Sequence, residues 1–126
     1  MKEFIMKALI IDDDDFTSEM LASFLKANGL DVEKAFNLLE GKKIIFERTP
    51  DMVFLDIMLP DGNGIDLLVN IRKTFKDLPV IMITGFKDCE KVVTAFRQGA
   101  NDCLLKPFNY EYLKNDILVR YKDKEQ

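Results

Sequence analysis

Five short strand-like runs alternate along this chain with five segments of helical spacing. The runs occupy residues 8–11, 30–36, 52–55, 80–83 and 103–105. Strands that alternate with helices form right-handed βαβ units, so the pattern predicts a parallel sheet covered by helices on both faces. The second run alternates apolar with charged residues, which is typical of an edge strand. We therefore predict an α/β, flavodoxin-like doubly wound (βα)5 fold whose sheet has the order 2-1-3-4-5.

The segments between the runs predict the helices. Their expected positions are residues 16–28, 37–48, 64–76 and 88–98, followed by a last helix that carries Leu113, Ile117 and Tyr121. In the fourth helix, the spacing of the apolar residues predicts that Val92, Val93 and Phe96 face the core.

The chain has the size and composition of one soluble domain. Its 126 residues can bury a core without staples, and no linker or repeat interrupts them. We predict a single domain over residues 1–126, with a structured core at about 6–121 and a charged tail from residue 122. A net charge of −4 without a basic stripe argues against direct nucleic-acid binding. No apolar run is long enough to span a membrane, and no signal-peptide pattern is present.

The cysteines and histidines restrict the chemistry further. Cys89 and Cys103 lack the spacing of a disulfide framework or a metal site, which predicts reduced thiols and a cytoplasmic location. The sequence contains no histidine. Histidine-based catalysis, histidine-ligated zinc and a role as a phosphohistidine donor are therefore excluded.

Polar residues follow four of the predicted strands at the point where each strand ends. Asp12 and Asp13 follow the first run, Asp56 the third, Thr84 the fourth and Lys106 the fifth. Because the carboxyl ends of parallel strands share one edge of the sheet, we expect these side chains to converge on one crevice. Taken singly, each has an ordinary explanation as a helix cap, a turn residue or a solvated cation. Their joint position favours a functional site.

The acidic residues that continue the first run are a separate question. Asp15 is expected to cap the first helix, and the role of Asp14 stays open between a cap and the site.

This set of residue types suits phosphoryl transfer. Crowded carboxylates repel one another, and a hard cation such as Mg²⁺ relieves that repulsion while it accepts phosphate oxygens. A lysine supplies a point charge for a phosphoryl oxygen, and a threonine hydroxyl donates to another. A carboxylate can itself attack phosphorus to form an aspartyl phosphate. Asp56 is the predicted nucleophile.

With these residues in place, the chain resembles the receiver domain of two-component response regulators over essentially its whole length. The matching motifs are Asp12-Asp13, Asp56 with Pro60 and Gly64 behind it, Thr84-Gly85, and Lys106-Pro107-Phe108.

The resemblance implies a role for each site residue. Asp56 would accept a phosphoryl group from a sensor histidine kinase or a histidine phosphotransfer protein. Mg²⁺ would be held by Asp13, Asp56 and the backbone carbonyl of Met58, with Asp12 acting mainly through water. Lys106 and Thr84 would hold the phosphoryl group.

The resemblance also has implications for the whole domain. The Lys106-Pro107 bond would be cis. The domain would promote its own phosphorylation and dephosphorylation without being a multiple-turnover enzyme. The face formed by the fourth helix, fifth strand and fifth helix would change on phosphorylation, and it would pass the signal to an output domain, a downstream protein or a second copy of the chain.

One residue departs from the family pattern. Family members commonly carry an aromatic residue three positions before the lysine, where this chain has Cys103. A small thiol cannot perform the ring movement that accompanies signal relay, and Phe86 is the nearest large side chain in sequence to Thr84. Phe86 either takes over from that ring or is an exposed loop aromatic.

Three other functions are less compatible with the sequence. A haloacid-dehalogenase-like Mg²⁺-dependent phosphatase would need a second aspartate two residues after the nucleophile, where this chain has Met58. A flavin carrier of this fold would need a phosphate-binding loop where the chain has four aspartates, residues 12–15. An interaction module that no longer takes phosphate is disfavoured by the intact set of site residues.

Overall fold

A parallel five-stranded sheet forms the centre of the computed structural model, which describes residues 4–122. Its strands are β1 (Lys7–Ile11), β2 (Asp31–Ala35), β3 (Met52–Asp56), β4 (Val80–Thr84) and β5 (Asp102–Leu105). All four neighbouring pairs are parallel, in the order β2-β1-β3-β4-β5. The predicted fold and strand order are confirmed.

Helices follow the strands in the expected alternation. They are α1 (Asp15–Ala27), α2 (Leu38–Glu47), α3 (Gly64–Thr74), α4 (Val92–Arg97) and α5 (residues 110–121). A 3₁₀ helix, Phe86–Lys91, precedes α4, and the middle of α5, Leu113–Leu118, has π-helical hydrogen bonding. After β3, the short strands Met58–Leu59 and Gly62–Asn63 pair in an antiparallel ladder. None of the helices in residues 4–122 is long and apolar enough to cross a membrane.

Two hydrophobic cores lie on the two faces of the sheet. One packs α2, α3 and α4 against the sheet through side chains that include Ile45, Leu68 and Ala95. The other packs α1 and α5 through side chains that include Leu25 and Ile117. Both faces of the inner strands are covered, which explains their continuous apolar runs.

The prediction for the inner face of α4 was wrong for two of its three residues, while the third, Val92, is half-buried. Val93 is 57% exposed and Phe96 46% exposed, whereas Ala95 is buried. A regular helix was predicted from residue 88, but α-helical geometry begins at Val92, after the 3₁₀ turns. Since a 3₁₀ helix has three residues per turn instead of 3.6, it shifts which residues face the sheet. Two large apolar side chains of α4 therefore face solvent.

Asp14 occupies the N-cap position of α1 and Asp15 is the first helical residue, so the helix begins one residue earlier than expected. The predicted structured core, about 6–121, lies within the described residues. The predicted tail lies outside them beyond Lys122.

Candidate functional site

The predicted site residues meet at the carboxyl edge of the sheet. Asp12 directly follows β1, Asp56 and Thr84 end β3 and β4, and Lys106 directly follows β5. Backbone hydrogen bonds continue the sheet into this edge. Asp12 N donates to the Ala35 carbonyl at 3.1 Å and Lys106 N to the Thr84 carbonyl at 2.9 Å. The backbone therefore fixes the starting points of the four side chains.

Three carboxylates lie together at this edge. Asp12, Asp13 and Asp56 each offer a carboxylate oxygen, and these oxygens lie within 4.8 Å of one another. Asp12 is fully buried and Asp56 is 6% exposed, whereas Asp13 is open to solvent. One end of the cluster is thus embedded in the protein and the other faces solvent.

Lys106 is paired with the two buried carboxylates. Its Nζ lies 3.0 Å from Asp56 Oδ2 and 3.1 Å from Asp12 Oδ2. The remaining carboxylate oxygens accept backbone bonds, Asp12 Oδ1 from Asp14 N at 3.0 Å and Asp56 Oδ1 from Met58 N at 3.1 Å. Each buried carboxylate is therefore held on one side by the backbone and on the other by the ammonium.

Burial makes the charge on Asp56 unfavourable. It raises the pKa of Asp56 from 3.8 to about 6, and the nearby Asp12 charge adds to the rise while the bond from Lys106 opposes it. Burial also disfavours the charge on Lys106, but the bonds to Asp56 and Asp12 outweigh it and raise the pKa of the ammonium. One lysine therefore does not fully compensate the two buried carboxylates. A second cation would be favoured here.

The donor atoms fit a hard divalent cation. Carboxylate oxygens are the ligands that Mg²⁺ uses in proteins, usually one or two of them with several waters. The exposed position of Asp13 leaves room for those waters. The cluster therefore suits the predicted magnesium ion, and the share of the Met58 carbonyl in holding it stays a prediction.

Gly64 is required by a close approach of two backbone segments. Its N donates to the Ile57 carbonyl at 2.6 Å, and a Cβ at this position would lie 2.1 Å from the Asp56 carbonyl oxygen. No side chain fits there without moving the backbone of the proposed nucleophile. This contact explains the glycine eight residues after Asp56.

The residues expected to respond to phosphate lie on β4 and β5 or directly after them. Thr84 is buried, and its hydroxyl donates to the Gly85 carbonyl at 3.1 Å. Phe86 is 80% exposed, so its proposed role in relay stays a prediction. Burial and the neighbouring Asp102 charge raise the pKa of the Cys103 thiol to about 11, which keeps it protonated and unreactive at neutral pH. The Lys106-Pro107 bond is cis, as predicted.

Two contacts of this site were not predicted from the sequence. Lys91 Nζ lies 3.3 Å from Met58 Sδ. Asp61 accepts hydrogen bonds from the first amides of α2. Each contact joins residues more than 20 positions apart, and no sequence pattern signals such a pair.

Comparison with known proteins identifies a family. Residues 8–118 match the model of the response regulator receiver domain. The probable transcriptional regulatory protein SilR of Salmonella typhimurium is 40% identical over 108 residues, which are 86% of this chain and 47% of that protein. A CpxR homologue, a transcriptional regulatory protein of Haemophilus influenzae, is 42% identical over 116 residues, 92% of this chain and 48% of that protein. The chain spans about half the length of the curated relatives it matches.

Solved structures give the same result. A CheY-like response regulator receiver domain protein from Methanospirillum hungatei superposes with a TM-score of 0.88 at 30% identity, over 97% of this chain and 98% of that one. The receiver domain of NtrX from Brucella abortus superposes with a TM-score of 0.85 at 34% identity, over 93% of this chain and 98% of that one.

Proposed function

This chain belongs to the family of response regulator receiver domains of two-component systems, and on that premise we propose that Asp56 is its phosphoacceptor. The observation that carries the proposal is the position of Asp56, at the end of β3, paired with Lys106 and clustered with two further carboxylates. The family match also favours a receiver over the haloacid-dehalogenase-like phosphatase.

The proposed reaction moves one phosphoryl group. A carboxylate oxygen of Asp56 forms a bond to phosphorus, the bond from phosphorus to the donor's histidine nitrogen breaks, and the released imidazole takes up a proton. The attacking carboxylate must be ionised. Because the pKa of Asp56 is about 6, it is mostly ionised at neutral pH in the absence of metal. Later attack of water on the acyl phosphate releases inorganic phosphate and restores the Asp56 carboxylate, so the domain is its own substrate.

Receiver domains bind Mg²⁺ at an acidic aspartate cluster, and this chain has such a cluster. Asp13, Asp56 and the Met58 carbonyl would hold the ion, and Asp12 would act mainly through water. When bound, the ion supplies positive charge for the phosphoryl oxygens.

Lys106 and Thr84 would hold the product. The ammonium of Lys106, shared between two carboxylates before the reaction, can pair with a phosphoryl oxygen afterwards. The hydroxyl of Thr84 can turn from the Gly85 carbonyl to another phosphoryl oxygen. Since both residues adjoin the ends of β4 and β5, their movement would reach the elements that follow those strands.

The family indicates the phosphodonor of this domain, and one exposed face of the domain indicates where a downstream partner would bind. A sensor histidine kinase or a histidine phosphotransfer protein would donate the phosphoryl group. The face formed by α4, β5 and α5 carries the exposed apolar side chains of Val93, Phe96 and Leu105. That face would signal to an output domain, a downstream protein or a second copy of the chain. The relatives named above are transcriptional regulators about twice as long as this chain.

The proposal is tested with a small phosphodonor and Mg²⁺. Mass spectrometry should find one added phosphoryl group that hydroxylamine removes, as it removes acyl phosphates. Asp56→Asn should abolish the addition, whereas Asp66→Asn, which changes an exposed aspartate of α3, should not. Asp13→Asn should abolish it as well. Labelling of Asp56→Asn at the wild-type rate would refute the assignment.

A further inference from the structure

The loop that follows Asp56 is bonded to a helix elsewhere in the chain. Asp61 lies at the tip of the ladder formed by Met58–Leu59 and Gly62–Asn63. Its Oδ1 accepts from Leu38 N at 2.9 Å and its Oδ2 from Leu39 N at 3.1 Å. Both carboxylate oxygens are thus used on the first two amides of α2. These bonds lower the pKa of Asp61, which keeps the carboxylate ionised.

The other early amides of α2 are bonded locally. Glu40 N donates to Asn37 Oδ1 at 2.8 Å, and Gly41 N donates to the Asn37 carbonyl at 3.1 Å. Asn37 therefore caps the helix from its own side, and Asp61 completes the cap from a different loop. The helix end and the loop tip share one set of hydrogen bonds.

The same loop carries the backbone group expected to contact Mg²⁺. Met58 is the first residue of the ladder and pairs with Asn63, while Leu59 pairs with Gly62. Gly62 has φ +148°, and a Cβ there would lie 3.1 Å from Leu38 Cδ1, so the tip is packed against α2 as well as bonded to it. A displacement of the tip would be transmitted along the ladder to Met58, whose N donates to Asp56 Oδ1 at 3.1 Å.

We propose that Asp61 is a positioning residue, which holds the Met58 segment in place for Mg²⁺ and thereby couples the metal site to the first turn of α2. The inference rests on the proposed function of the aspartate cluster. Because coupling between two sites is reciprocal, binding of the ion should in turn tighten the bonds from Leu38 and Leu39 to Asp61.

The first experiment compares Mg²⁺ affinities of unphosphorylated variants by NMR titration. Asp61→Ala should raise the Mg²⁺ dissociation constant about tenfold, the lower end of the effects seen for residues that support metal ligands. Asn37→Ala weakens the same helix end but leaves the loop bonded, and Asp66→Asn removes an exposed charge from the same groove. The Mg²⁺ dissociation constants of these two control variants should stay within about twofold of wild type, because neither the helix cap nor a distant screened charge positions the Met58 segment. Asp61→Asn, which keeps one acceptor oxygen, should fall between.

The second experiment measures amide hydrogen exchange in the wild-type protein. Saturating Mg²⁺ should slow exchange of the Leu38 and Leu39 amides, and the effect should disappear in Asp61→Ala but persist in Asn37→Ala. Equal Mg²⁺ affinities of Asp61→Ala and Asn37→Ala would overturn the proposal, and so would unchanged exchange at these amides in the wild type. A wild-type protein that binds no Mg²⁺ would instead refute the proposed function.

Discussion

Replacing Asp56 by asparagine should stabilise the metal-free domain at neutral pH. The pKa of Asp56 rises from 3.8 to about 6 on folding, chiefly because the side chain is buried. For an acid whose pKa is raised by folding, the folded state loses stability as the pH rises from about 4 through about 6. At 1.36 kcal/mol for each tenfold change in the ionisation constant, the loss is up to about 3 kcal/mol at pH 7. Asparagine has a similar shape, can accept the bond from Met58 N and never ionises.

Urea unfolding with a chelator present measures this difference. The Asp56→Asn variant should be more stable than wild type by up to about 3 kcal/mol at pH 7, and the two should approach equality near pH 4. Mg²⁺ should stabilise the wild type and have little effect on the variant. Asp61→Asn is the control of opposite sign, because backbone hydrogen bonds lower the pKa of Asp61. A variant less stable than wild type at pH 7, or a gain that does not change with pH, would refute the reasoning.

Three further predictions concern single side chains. Lys106→Met should raise the pKa of Asp56 above about 6, since the bond from Lys106 opposes the rise, and ¹³C NMR of the carboxyl in metal-free protein would detect a fall instead. Phe86→Ala should shorten the lifetime of the acyl phosphate if the ring shields it; an unchanged lifetime would leave Phe86 as an exposed loop aromatic. Ser18→Ala should stabilise the domain by about 1 kcal/mol in urea unfolding, because the buried Ser18 hydroxyl has no hydrogen-bond partner among the described residues, and a destabilised variant would contradict this.

The sheet and the membership of the site could be predicted because both follow from local patterns. A buried parallel strand needs a continuous apolar run, and the residue after the run lies at the carboxyl edge of the sheet. Asp12, Asp56, Thr84 and Lys106 each adjoin such a run, so their convergence follows from the strand order.

The tertiary structure decided what depends on the path of the chain between these elements. The 3₁₀ turns before α4 rotated Val93 and Phe96 into solvent, against the helical period of the sequence. Asp61, between a proline and a glycine, has the sequence context of a turn residue, yet it bonds to amides 22 and 23 residues away. A strand can be predicted because its apolar pattern repeats along the chain. The contact between Asp61 and the start of α2 depends instead on how the packing of the helices against the sheet positions these two distant segments.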